Sequence, residues 1–156
     1  MESTDFGKVM MPSDAVDTLE GQQDQAETRL NGALADAAKL VVDYLSAMEA
    51  RDLTLAARFI RDDFVMVFPG SAPMTSHQEL IAWSAERYRY VKKAYAAVEP
   101  LQRGSSMVVY ARGTLAGAWL DGEPFDGIRF IDRFELIEGK IVRLEVWNDI
   151  GEVRRA

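Results

Sequence analysis

From residue 31 the apolar residues recur with helical spacing: Leu34, Ala37, Ala38, Val41, Tyr44, Leu45 and Met48 predict one amphipathic helix over 31–50. Asp52 is placed to cap a second, shorter helix running through Ile60, with Leu55, Ala56 and Phe59 on its inner side. The run Phe64-Val-Met-Val-Phe68, halted by Pro69-Gly70, predicts a strand. Ser76 followed by Glu79 forms a capping-box signature for a helix from His77 to about Tyr90, with Leu80, Trp83, Ser84, Arg87 and Tyr88 in phase. Beyond residue 91 the period becomes two. Strands are expected at Lys93–Val98, ended by Glu99-Pro100, then at Met107–Leu120, Asp126–Leu136 and Lys140–Asn148. Asp121-Gly122 and Glu138-Gly139 supply the tight turns. Helices first and an antiparallel meander afterwards predict an α+β domain, with helices packed on one face of a strongly curved antiparallel sheet.

Residues 1–30 lack a sustained apolar stripe. They read as an acidic polar extension, plain disorder being preferred to a short helix over 14–29, ahead of a domain at 31–156. Net charge sharpens that division. The chain carries −7, and residues 1–36 hold eight acids against two bases. The body is thus nearly neutral. An acidic chain repels phosphate backbones, so nucleic acid is not an expected partner. No signal sequence or membrane span is legible, and a cytoplasmic location is expected. With no cysteine and a single histidine, His77, disulfides, thiol catalysis and a histidine metal cluster are excluded. No phosphate loop, nucleophile elbow or metal motif is present, so no cofactor is expected.

Alternation along 126–136 puts Ile128, Phe130, Asp132, Phe134 and Leu136 on one face, and Arg129, Ile131, Arg133 and Glu135 on the other. The first face must meet the helices. Asp132 is its anomaly, because an ionised carboxylate among apolar groups costs several kcal/mol unless it is partnered. It has a partner, lines a wet pocket or is held protonated. On the outer face Trp119 and Trp147 are expected to join Arg129, Ile131 and Arg133, which together suggest a homodimer packed sheet to sheet.

A pocket against Asp132 would be walled by Phe64, Met66, Phe68, Trp83, Tyr88, Phe130 and Phe134, with Val146 and Asn148 added by the alternation of the last strand. Tyr44 reads as a core tyrosine whose hydroxyl finds a partner. His77 reads as a surface residue, or one at the pocket mouth. Gly113 and Gly117 lie on a strand and read as points of sheet curvature.

The order of elements, with the stretches Val41–Leu53, Phe59–Phe64 and Phe130–Val142, resembles the NTF2-like superfamily of α+β cones, and within it the SnoaL-like polyketide cyclases and ketosteroid isomerases. The resemblance spans about residues 33–152. It implies a cone with an internal pocket. Tyr44 and Asp132 match the tyrosine and acid that form the isomerase oxyanion hole, whereas Phe68 stands where the isomerase has its general base. The cyclase histidine–aspartate pattern is absent from 142–148. The implied function is a cofactor-independent isomerase, cyclase or dehydratase acting on an apolar, carbonyl-containing molecule. The alternative is a non-catalytic ligand-binding or dimeric interaction domain of the same fold.

Overall fold

The computed structural model describes residues 13–154. In chain order the elements are α1 (Ser13–Glu49), α2 (Leu53–Ala56) continued by a 3-10 turn (Ala57–Phe59), β1 (Ile60–Val67), α3 (His77–Ala85), β2 (Tyr88–Arg103), β3 (Ser106–Trp119), β4 (Pro124–Ile137), β5 (Lys140–Asn148) and α4 (Ile150–Val153). The chain divides into two compact units, Met1–Ala33 and Leu34–Ala156.

In the first unit, residues 13–33 are helical and all but Ala15 are exposed, so the expected disorder does not hold there. Residues 1–12 of the expected extension lie outside the described residues. Helix formation at 13–33 needs no apolar stripe. Ala, Leu, Gln and Glu have good propensity, the helix continues from a nucleated segment, and Asp14 in the first turn favours the positive end of the dipole.

In the second unit, α1 buries Ala37, Val41, Tyr44 and Leu45 of the stripe read from the spacing, and Ala47 beside them, while Leu34, Ala38 and Met48 of that stripe are half-buried. It ends in a Schellman motif: the Asp52 N–H donates to the Ala47 carbonyl at 2.9 Å and the Arg51 N–H to that of Met48 at 3.1 Å. The left-handed residue of that motif is Arg51, at φ 59°. Asp52 then caps α2 by accepting from the Leu55 N–H. Ala56 is buried as expected, but Leu55 is 37% exposed, because the segment is a single turn passing into a 3-10 turn. Ser76 caps α3 by accepting from the Glu79 N–H at 3.2 Å. The helix closes at Ala85, earlier than expected, and Tyr88 opens β2 instead.

The five strands form one open sheet in the order β1-β5-β4-β3-β2. The sheet is mixed rather than wholly antiparallel, because β1 pairs parallel to β5. The β2 strand runs on through Glu99-Pro100, which was expected to stop it. As an edge strand it tolerates a proline whose missing N–H faces away from the ladder. Gly113 and Gly117 lie where β3 approaches β2 most closely: a Cβ on either would fall 1.9 Å from the Ala94 carbonyl oxygen or 2.1 Å from that of Tyr90. The register of β2 slips beside each, between Tyr95 and Ala97 and between Tyr88 and Tyr90, which agrees with their reading as curvature points. Between Ile128 and Phe125 the β4 strand holds one extra residue, with Gly127 at φ 65°, so both side chains stay on the inner face. The inner face of the sheet packs with Val41, Tyr44, Phe64, Met66 and Leu80 in the main core. No helix among the described residues is long and apolar enough to cross a membrane.

Candidate functional site

The alternation of β4 holds as read: Ile128, Phe130, Asp132, Phe134 and Leu136 are all buried. In register, Asp132 lies between Ala111 of β3 and Val146 of β5. It has no exposed surface, and its Oδ2 is ion-paired with the ammonium of Lys93 on β2. Lys93 also lies over the Phe130 ring, 4.6 Å from the centroid. Its side chain keeps 21% exposure and is the member of the pair that meets solvent. The second carboxylate oxygen of Asp132, Oδ1, has no hydrogen-bond partner. Burial raises the Asp132 carboxyl above the usual carboxylate range, and the Lys93 charge opposes that shift.

Two cavity lobes meet at this pair. The larger, about 360 Å³, is bounded by Tyr44, Met48, Leu80 and Leu144, and the smaller, about 180 Å³, by Trp83, Leu115, Phe130 and Asn148. Phe68, Tyr88, Val91, Lys93, Asp132 and Val146 border both. Of the expected pocket residues, Phe68, Trp83, Tyr88, Phe130, Val146 and Asn148 therefore come together with Asp132 and Tyr44. Phe64, Met66 and Phe134 do not line the lobes. They are at most 1% exposed and belong to the packed core. Asn148 also accepts from the Ile150 N–H at 3.1 Å, which positions α4.

His77 is neither on the surface nor at the mouth. It is 4% exposed, and its Nε2 lies 3.0 Å from the Tyr44 hydroxyl in a shared hydrogen bond. The Ser76 cap turns the first residue of α3 inward, against Tyr44 and Phe64. Burial lowers the His77 imidazole below its ordinary value, which keeps it neutral. Burial and then the Asp132 charge raise the Tyr44 phenol, so it stays protonated. The tyrosine thus has the partner expected of a core tyrosine, and that partner occupies the hydroxyl. Tyr88 borders both lobes, and burial raises its phenol as well. Trp83 lies tilted against Phe68, ring centroids 5.3 Å apart, and under the Arg87 guanidinium, 4.0 Å from the ring, while its indole N–H has no partner among the described residues. Among the described residues no cluster of three or more potential metal ligands forms.

The outer face differs from expectation at one tryptophan. Trp147 is 53% exposed beside Ile131, its partner in register, at 42%. Trp119 faces inward and stacks on Phe125 at 4.3 Å, because it shares the parity of Leu115 and Gly117 on β3. Arg133 and Arg129 are held by Glu135 and Asp149 respectively.

Lys93 is the residue the sequence reading missed. Its signal was the need of Asp132 for a cation, together with a lysine in phase with Val91 and Tyr95 on a neighbouring strand.

No protein-family model matches the sequence, and no curated protein matches it. Solved structures match in shape. An NTF2-like protein of unknown function from Burkholderia pseudomallei superposes with a TM-score of 0.62 at 18% identity, over 76% of this chain and 94% of that one. A putative SnoaL-like polyketide cyclase from Jannaschia sp. gives 0.53 at 18%, over 74% and 89%. TerC co-crystallized with polyporic acid gives 0.59 at 15%, over 74% and 92%. With helices laid on one face of a curved, open sheet and these likenesses in shape, the chain has the fold of the NTF2-like superfamily.

Proposed function

We propose that this domain performs cofactor-independent proton transfer, of the isomerase, cyclase or dehydratase kind, on an apolar carbonyl-bearing molecule held over Asp132. The observation that carries the reading is the Asp132–Lys93 pair: a fully buried carboxylate with one oxygen on an ammonium and the other unpartnered, at the junction of two cavity lobes. Asp132 is the base. It takes a proton from the carbon next to the carbonyl, and burial moves its carboxyl in the direction that makes it a better base near neutral pH. Lys93 faces the lobes and offsets the charge that collects on the carbonyl oxygen. Tyr88 supplies a neutral hydroxyl to both lobes, whereas Tyr44 holds its bond to His77. The relatives named as polyketide cyclases agree with a substrate of this class.

The test is deuterium incorporation at the activated carbon of 2-tetralone, followed by proton NMR in heavy water. The wild type is expected to accelerate exchange, and Asp132→Asn to remove the acceleration. Equal rates for the two proteins would count against Asp132 as a base and leave a non-catalytic binding domain.

A second reading concerns assembly. Trp147 and Ile131, exposed side by side on the sheet face away from the helices, favour a homodimer formed through that face. Trp147→Glu should convert a dimer to a monomer in sedimentation equilibrium. A wild type that is monomeric at all accessible concentrations would remove this reading.

A further inference from the structure

The charge around the cavity runs opposite to that of the chain. The protein carries −7. The two lobes are nonetheless bordered by Arg51, Arg87, Arg89, Lys93 and Arg154 against two acids, Glu49 and Asp132. Asp132 is already paired with Lys93, and Glu49 lies 3.5 Å from the Lys93 backbone N–H. None of the four arginines forms a salt bridge with a described residue. Three of them are nonetheless positioned. Arg87 stacks on Trp83, Arg89 donates through Nε to the Leu120 carbonyl at 3.0 Å, and Arg154 lies over Trp119 at 5.5 Å. The fourth, Arg51, occupies the left-handed position at the end of α1, where glycine is the ordinary occupant. A cation held in a strained backbone position beside a cavity is a local rule broken at a candidate site.

We propose that the ligand of this pocket is an anion: an apolar ring system bearing a carboxylate or an acidic enol or phenol oxygen, received by the arginines at the rim while its apolar body enters the lobes. The proposal rests on the reading that this cavity is the functional site, and it adds the substrate class. Unpaired guanidinium groups suit such an oxygen, because each presents fixed N–H donors and keeps its charge at any working pH. The lining between them is apolar and aromatic, through Phe68, Trp83, Val91, Leu115 and Phe130, so a small hydrophilic anion would leave that surface unfilled. The surplus of positive charge also draws an anion toward the opening of an otherwise acidic protein.

The experiment compares 2-naphthoate with its uncharged methyl ester by titration calorimetry, in the full chain, at low and raised ionic strength. Trp83, which lines the smaller lobe, reports the location through its indole N–H NMR signal, assigned with Trp83→Phe. The acid is expected to bind about tenfold tighter than the ester, with the ratio shrinking as salt rises. The double variant Arg87→Gln, Arg89→Gln and the single variant Arg51→Gly should each weaken the acid several-fold and leave the ester unchanged. If the ester binds as tightly as the acid, the charge preference is overturned while the pocket reading stands. If the acid binds but the Trp83 signal does not move, binding is to the surface and the proposal falls. If neither compound binds, the pocket reading falls with it.

Discussion

Lys93 reaches from the edge strand β2 across β3 to Asp132 on β4. The span is open because the inner-face residues of β3 beneath it, Ala111 and Gly113, carry almost no side chain. The pair links β2 to β4 across β3 through one ionic contact. Asp132 is also the one carboxylate among the described residues that is fully buried.

Removing the cation alone leaves that charge stranded. Lys93→Met is expected to cost ~3–5 kcal/mol at neutral pH, the range for a buried pair broken on one side. The sign of the pH dependence follows from the raised Asp132 carboxyl. A folded-state value above the unfolded one makes the domain most stable below the unfolded value, with stability declining as pH rises through the folded value. The variant should therefore regain stability on acidification more than the wild type does. Urea titrations over a pH series measure this, and a loss independent of pH would contradict it.

His77 should titrate below the ordinary imidazole value of 6.5, since burial disfavours its charged form. A lowered folded-state value means stability is present above the unfolded value and is lost as pH falls through the folded one. The chain has one histidine, so its ring protons are a single unobstructed NMR signal. Tyr44→Phe, which takes the hydroxyl from Nε2, is expected to cost ~1–2 kcal/mol by leaving the imidazole short of a partner. A midpoint at or above 6.5 would mean that the ring is not held as described.

Gly113→Ala should be among the most damaging small substitutions, at ~3 kcal/mol or more, because the new Cβ meets backbone that has no room to move. Gly32→Ala, with nothing within 4 Å of its Cβ, should raise helix content instead, by up to ~1 kcal/mol of local helix stability. Chemical denaturation and far-UV circular dichroism separate the two. Similar losses at both positions would refute the close approach of β3 to β2.

Arg51→Gly should stabilise the domain slightly. Relief of the left-handed backbone is worth ~1–2 kcal/mol, and the added freedom of the unfolded chain removes ~0.5–1 of that. A small rise in Tm, accompanied by weaker binding of an aromatic acid, is the expected signature. A fall in Tm would mean that the arginine side chain makes a contact that holds the fold.

The periodicities carried the architecture because burial enforces them. The stripe of α1 from Ala37 to Leu45 and the alternation of β4 around Asp132 were both visible as spacing. What escaped depended on neighbours. Pro100 stays in a strand only because β2 lies at an edge. Tyr88 left the helical phase once α3 closed at Ala85. Residues 13–30 have helical propensity without a stripe, so periodicity was silent there. At the site, Asp132 announced itself by being out of place, and five of its cavity neighbours, Phe68, Trp83, Phe130, Val146 and Asn148, followed from strand and helix phase. Lys93 did not, because the second of two adjacent lysines in a strand carries no mark until the strand opposite is known. Phe64 and Phe134 look identical to pocket-wall residues in sequence, and only packing shows them filled in.

The pairing of β1 with β5 joins the first strand of the sheet to the last. Parallel neighbours brought together from about residue 60 and residue 141 close a loop that contains every other strand. The β2–β5 meander can zip up through short hairpins, but β1 has no ladder to join until β5 exists. On the ribosome the apolar segment Phe64–Phe68, with only the local bridge of Met66 to Met74, must wait for its strand neighbour through the synthesis of some seventy further residues. That delay marks β1 as the slow step of folding, and its waiting strand as the part of the nascent chain most exposed to misassociation.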